Sequence, residues 1–263
     1  MDPLARLRAA AAFLLDLDGT LYVDDDLLPG ARELVELLDG RGIPRLYLTN
    51  NSAAAAEDYR ARLARLGIPA RREDVLTSGD ATIAHLLADT PHRSAYVVGT
   101  PALVGAFSAA GIDVAAADPD CVVVGFDTTV TYAKLERACR LLFAGKPFYA
   151  THPDRTCITR EGLVPDVAAI IAACQATTGR APKILGKPMP EMVAAAMARL
   201  GTAPGATVIV GDQLDTDMTM AARSGLLGVL VLSGETTPER LAAWPDRPPL
   251  VVANVGEVAA LLR

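Results

Sequence analysis

Short apolar runs alternate with helical stretches along nearly the whole chain, and this alternation restricts the fold more than any other feature. Residues 12–17 (AFLLDL), 45–49 (RLYLT), 95–99 (AYVVG), 121–126 (CVVVGF), 147–151 (PFYAT), 207–212 (TVIVGD) and 227–232 (LGVLVL) each read as a buried strand. Helical stretches lie between them. One runs from Pro29 to Asp39, with Gly40 just beyond its end. Ser52 is placed to cap a second, which stops at Gly67. Others cover 101–110, 131–144, 167–179, 190–200 and a stretch near 216–224. Strands that are apolar on both faces need helices on both sides. With right-handed crossovers, that gives a doubly wound parallel α/β sheet.

The acidic and small polar motifs fall near residues 16–20, 49–52 and 187–217, whereas the stretch from about 80 to 182 carries none. The expected organisation is therefore a core built from 1–79 and 183–263, interrupted by an inserted α/β domain at 80–182. Ligands of open parallel sheets bind beyond the carboxyl ends of the strands. Asp16 ends the first strand, and Asp18 follows it across a turn that Gly19 permits. Two acids there can hold a hard cation or remain as a solvated strand-end turn. A calcium loop is excluded, because its twelfth position would be Leu27 rather than Glu.

The segment DLDGTLY at 16–22 resembles the first motif of the haloacid dehalogenase superfamily. That resemblance implies that Asp16 is a nucleophile and Asp18 a general acid and base. Three more segments match in the right order. In LTNNS (48–52), Thr49 would hold the transferring phosphoryl group, with Asn50 and Asn51 beside it. In GKP (186–188), Lys187 would balance the phosphoryl oxygens and Asp16. In VGDQLDTD (210–217), Asp212 is the implied metal ligand, and Asp217 holds a metal-bound water or Lys187. Asp215 and Thr216 are the candidates to cap the following helix. The implied metal is Mg²⁺, with Asp16, Asp18, Asp212 and Asp217 around it, because carboxylates and phosphate oxygens suit it. His85, His92 and His152 are scattered and form no zinc-type cluster.

The TNN form of the second motif, and an insertion between motifs two and three, resemble the NagD-like, para-nitrophenylphosphatase branch. GFDTTVTYAKL, YATHPD and LSGETTPE resemble it too. The resemblance implies a phosphatase of small phosphomonoesters with an inserted cap, and members of the branch often pair through that cap. PDVAA at 165–169 replaces a glycine-rich turn of many members and resembles the sugar-phosphate phosphatases. His152, Asp154 and Asp166 are the cap candidates for reading a leaving group; local hydrogen bonding within the cap loop is the alternative for each. Sugar or polyol phosphates are expected ahead of a nucleotide or cofactor phosphate such as UMP or pyridoxal phosphate. A phosphotransferase and a catalytically silent regulator are the competing readings. A silent regulator should lack Asp16 or Lys187, and both are present.

Composition narrows the partners. A net charge of −6 and a pI near 5.1 disfavour nucleic acid and anionic membrane, leaving a small phosphorylated metabolite. The N-terminal apolar run is too short to span a membrane and lacks a signal-type cleavage site, so a cytoplasmic protein is expected. Cys121, Cys139, Cys157 and Cys174 form no CxxC pair and read as reduced thiols.

Overall fold

The computed structural model describes residues 2–159 and 161–263. The first part of the chain contains α1 (Pro3–Arg8), β1 (Ala12–Asp16), β2 (Tyr22–Val23), β3 (Asp26–Leu27), α2 (Ala31–Gly40), β4 (Arg45–Thr49), α3 (Ala56–Arg65), β5 (Val75–Thr77) and α4 (Ser78–Asp89). Then come β6 (Ala95–Val98), α5 (Pro101–Ala109), β7 (Cys121–Val124), α6 (Tyr132–Phe143), β8 (Phe148–Ala150), β9 (Thr156–Thr159), β10 (Gly162–Pro165), α7 (Val167–Thr178) and β11 (Lys183–Ile184). The last part holds α8 (Pro190–Leu200), β12 (Thr207–Gly211), α9 (Thr219–Ser224), β13 (Leu227–Val231), α10 (Pro238–Ala243), β14 (Leu250–Val252) and α11 (Val255–Leu262).

The larger sheet has the order β14-β13-β12-β1-β4-β5, with every neighbouring pair parallel. All five residues of β1 are buried, as two-sided packing requires. Its side chains alternate between faces. Phe13 and Leu15 join Tyr47, Val208 and Val210 in one core, while Leu14 joins Leu48, Ile209 and Met192 in the other. In register, Leu15 lies opposite Val210 and Tyr47. The carboxyl ends of β1, β12 and β4 therefore emerge at one edge, carrying Asp16, Asp212 and Thr49.

A second parallel sheet, β11-β8-β7-β6, forms the inserted α/β unit and has apolar clusters on both faces. An antiparallel hairpin, β9–β10, rises beside it and exposes Leu163. Lys183 and Ile184 extend the second sheet by pairing with β8, and α4 begins at Ser78. The second sheet thus includes Lys183 and Ile184.

The doubly wound α/β core is as expected from the apolar runs. One helix start differs. α3 begins at Ala56 with Ala55 in the capping position, so Ser52 does not cap it. The Ser52 hydroxyl instead accepts the Phe126 N–H at 2.9 Å and hydrogen-bonds Thr151 Oγ1 at 3.0 Å, joining the core loop to the inserted unit. The helix expected near 216–224 begins with a π-helical turn over Leu214–Met218 before α9. No helix among the described residues is long and apolar enough to cross a membrane.

Candidate active site

Asp16, Asp212 and Asp217 are buried, and each offers a carboxylate oxygen within 4.8 Å of the others. β1 delivers Asp16, the residue after β12 is Asp212, and the π-helical turn folds Asp217 back beneath them. That return needs glycine at Gly211, where a Cβ would lie 2.2 Å from Asp217 Cγ. Gly234 is equally constrained, since its Cβ would sit 1.9 Å from Asp212 Oδ2.

Lys187 enters from the loop before α8 and is only 3% exposed. Its Nζ donates to Asp16 Oδ1 at 2.5 Å and to Asp217 Oδ1 at 2.8 Å. Burial opposes the lysine's charge, but the two carboxylates outweigh it and hold the ammonium above its ordinary range. One ammonium does not balance three buried carboxylates. Burial, reinforced by Asp16 and Asp217, pushes Asp212 well above the usual carboxylate range. Asp217 is pushed up to about 7, burial outweighing the pull of Lys187.

Asp212 Oδ2 accepts the Glu235 N–H at 2.6 Å, while its Oδ1 is buried with no hydrogen-bond partner among the described residues. An orphaned carboxylate oxygen amid uncompensated negative charge is what a hard cation satisfies, so these three residues fit a divalent metal. Asp18 adds no carboxylate to this cluster. It faces the pocket beside Asp16, and burial together with Asp16 pushes it up to about 7.

The pocket is a small cavity of about 40 Å³, lined by Asp16, Asp18, Thr49, Asn51, Asp166 and Lys187, among others. A far larger cleft, of about 540 Å³, lies at the opposite sheet edge, where Arg45 begins β4. Its Arg45 and Arg71 are already paired with Asp39 and Asp74, and it holds none of the acids above. The small cavity is therefore where chemistry is concentrated.

Thr49 ends β4, and its Oγ1 accepts the Asn51 N–H at 3.1 Å. Asn50 reaches the pocket wall, but its amide is committed to protein partners. Oδ1 accepts Lys187 N–H at 2.8 Å, and Nδ2 donates to Lys187 O and to Asp154 Oδ1, each at 3.0 Å. These bonds tie Asn50 to Lys187 and to Asp154 in the loop after β8. Asn51 Oδ1 accepts from Ala53 N–H at 2.9 Å.

For His152 the hydrogen bonds are those of the local alternative. The ring is fully buried and does not line the pocket. Nδ1 meets Thr151 Oγ1 at 2.8 Å, and Nε2 meets Asp166 Oδ1 at 3.0 Å, so both ring nitrogens are taken. Burial disfavours its charge, yet Asp166 raises the imidazole above its ordinary value. Asp166 caps α7 and faces the cavity from that position, and Asp154 faces it from the loop between β8 and β9. The donor atoms of His152, Asp154 and Asp166 also cluster within 4.8 Å, but all three have protein partners. Asp215 pairs with Arg240, and Thr216 donates to Gln213 Oε1 at 3.0 Å.

Sequence reading missed Glu235, which lines the cavity from the loop after β13. Burial, then Asp154, pushes it up to about 7. It lies within LSGETT, a segment noticed for its resemblance but given no role. Gln213, Thr156, Cys157 and Ile158 complete the lining and carried no signal in sequence.

An acid-and-lysine pocket at the carboxyl edge of a doubly wound sheet, beneath an inserted α/β unit, defines a class of hydrolase. Residues 13–113 match the model of the haloacid dehalogenase-like hydrolase family, and residues 184–258 match that of the related HAD-hydrolase-like family. The chain is 33% identical to a dihydroxyacetone phosphatase of Corynebacterium glutamicum, over 94% of this chain and 90% of that one. A 4-nitrophenylphosphatase from Thermotoga maritima superposes with a TM-score of 0.94 at 40% identity, covering 98% of this chain and 99% of the other. A glycerol phosphate phosphatase from Mycobacterium tuberculosis, solved in complex with magnesium, superposes with a TM-score of 0.87 at 31% identity, over 98% and 79%. The chain belongs to the haloacid dehalogenase-like hydrolases. Within them it is a phosphoric monoester hydrolase of NagD-like architecture.

Proposed function

We propose that the protein is a Mg²⁺-dependent phosphatase of small sugar or polyol phosphates that works through a phosphorylated Asp16. The observation that carries this reading is the placement of Lys187 between Asp16 and Asp217, with Thr49 and Asp18 facing the same cavity. Thr49 and Lys187 bind the phosphoryl oxygens and hold phosphorus in front of Asp16. An Asp16 oxygen forms a bond to phosphorus as the ester P–O bond breaks, and the Asp18 proton goes to the departing oxygen. Asp18, now ionised, takes a proton from the water that attacks the phospho-aspartate, which frees phosphate and restores both carboxyls. A carboxyl raised to about 7 is suited to giving and taking that proton near neutral pH. When bound by Asp16, Asp212 and Asp217, Mg²⁺ supplies the positive charge that lets a phosphate dianion approach these acids.

Names of relatives and neighbours support the substrate class: a dihydroxyacetone phosphatase and a glycerol phosphate phosphatase are among them. Asp154, Asp166 and Glu235 form the wall available to accept hydrogen bonds from leaving-group hydroxyls. The test is phosphate release from sugar, polyol, nucleotide and cofactor phosphates with Mg²⁺ and with EDTA. Sugar or polyol phosphates should be turned over fastest, EDTA should abolish turnover, and Mg²⁺ should restore it, with Ca²⁺ a poor substitute. Full turnover in EDTA would remove the metal from the reading, and preference for a nucleotide would remove the substrate class.

A further inference from the structure

Under that reading, Asp18 must present a proton to the leaving oxygen, and its side chain needs something to aim it. Asp18 lies in the turn after β1. It bridges Tyr22, and the Gly19 N–H donates to the Tyr22 carbonyl at 2.8 Å. Tyr22 opens the β2–β3 hairpin and is wholly buried. The guanidinium of Arg62 lies over its ring, with Cζ 5.6 Å from the centroid. One turn along the same face of α3, Arg65 meets Asp25 at the hairpin turn, 3.9 Å away. One turn the other way, Tyr59 donates its hydroxyl to the Asn51 carbonyl at 3.1 Å. A single face of α3 thus touches both the loop after Thr49 and the hairpin after Asp18.

We propose that Arg62 is a positioning residue, which fixes Tyr22 and with it the turn that aims the Asp18 carboxyl at the leaving oxygen. This rests on Asp18 being the general acid. An alkyl phosphate expels a basic alkoxide and needs the proton, whereas para-nitrophenolate leaves readily without one. Loss of aim should therefore show as dependence on the leaving group.

The experiment compares kcat and KM for glycerol 3-phosphate and para-nitrophenyl phosphate in wild type, Arg62→Ala, Arg62→Lys and Asp18→Asn. Arg62→Ala should lower kcat on the alkyl ester at least about tenfold more than on the aryl ester, with KM held within about threefold. Arg62→Lys, which keeps a cation over the ring, should recover most of that difference. Should the alanine variant not fold, Arg62→Gln carries the same comparison with the stem retained. Equal losses on both substrates, or a change confined to KM, would overturn the proposal. Asp18→Asn separates the two levels. If it shows no leaving-group dependence, the role of Asp18 falls and that of Arg62 with it. If it does and Arg62→Ala does not, only Arg62 is misassigned.

Discussion

In the proposed reaction Asp16 bears two demands at once, as nucleophile and as one of three acids that would surround the cation. Thr20 Oγ1 donates to its Oδ2 at 3.1 Å and Lys187 to its Oδ1, so its orientation is set before any ligand arrives. An amide in its place keeps the shape but loses nucleophilicity and charge. Asp16→Asn should abolish phosphate release while leaving the fold intact, as far-UV circular dichroism would show. Retained turnover within about tenfold, roughly 1.4 kcal/mol of barrier, would defeat the covalent route. This residue was legible in sequence because an apolar run that ends in an acid places that acid at a sheet edge. His152 was not legible. Nothing in YATHPD tells whether the ring faces the cavity or turns to Thr151 and Asp166 behind it, since that choice depends on α7 arriving from elsewhere in the chain.

At the level of elements, long apolar runs were readable and short ones were not. β5 is three residues long, and its burial comes from pairing with β4 rather than from any pattern of its own. β11 has two residues, and the β2–β3 and β9–β10 hairpins carry little periodicity. The loop after β4 shows what such gaps conceal. Ser52 was read as a helix cap, yet its hydroxyl joins the core to the inserted unit through Phe126 N and Thr151 Oγ1. All three groups are buried, so Ser52→Ala leaves the Phe126 N–H without a partner, while Thr151 Oγ1 keeps its bond to His152 Nδ1. The orphaned N–H costs about 1–3 kcal/mol. A thermal melt should show a clear loss of stability, with KM for para-nitrophenyl phosphate nearly unchanged because Ser52 does not line the cavity. An unchanged melting temperature would mean that this link contributes nothing to holding the two units together.

For the whole molecule, the buried acids couple stability to pH and to metal. In the metal-free protein, Asp18 and Asp217 are held near 7 and Asp212 well above the usual range, chiefly by burial, whereas unfolding returns each toward 3.8. Between these values the folded state holds protons that the unfolded state has released. Stability must therefore fall as pH rises through that window. In EDTA, Tm should be several degrees lower at pH 7.5 than at pH 5. A divalent cation binds the ionised carboxylates of the folded state alone, so saturating Mg²⁺ should raise Tm more at pH 7.5 than at pH 5 and flatten the profile. Asp212→Asn removes one of the buried carboxyls while keeping its shape. It should raise Tm in EDTA at pH 7.5 and blunt the response to Mg²⁺. Melts of both proteins at the two pH values, with and without Mg²⁺, test this; a metal-free Tm that rises from pH 5 to 7.5 would mean that these carboxyls are not held protonated by burial in the folded protein.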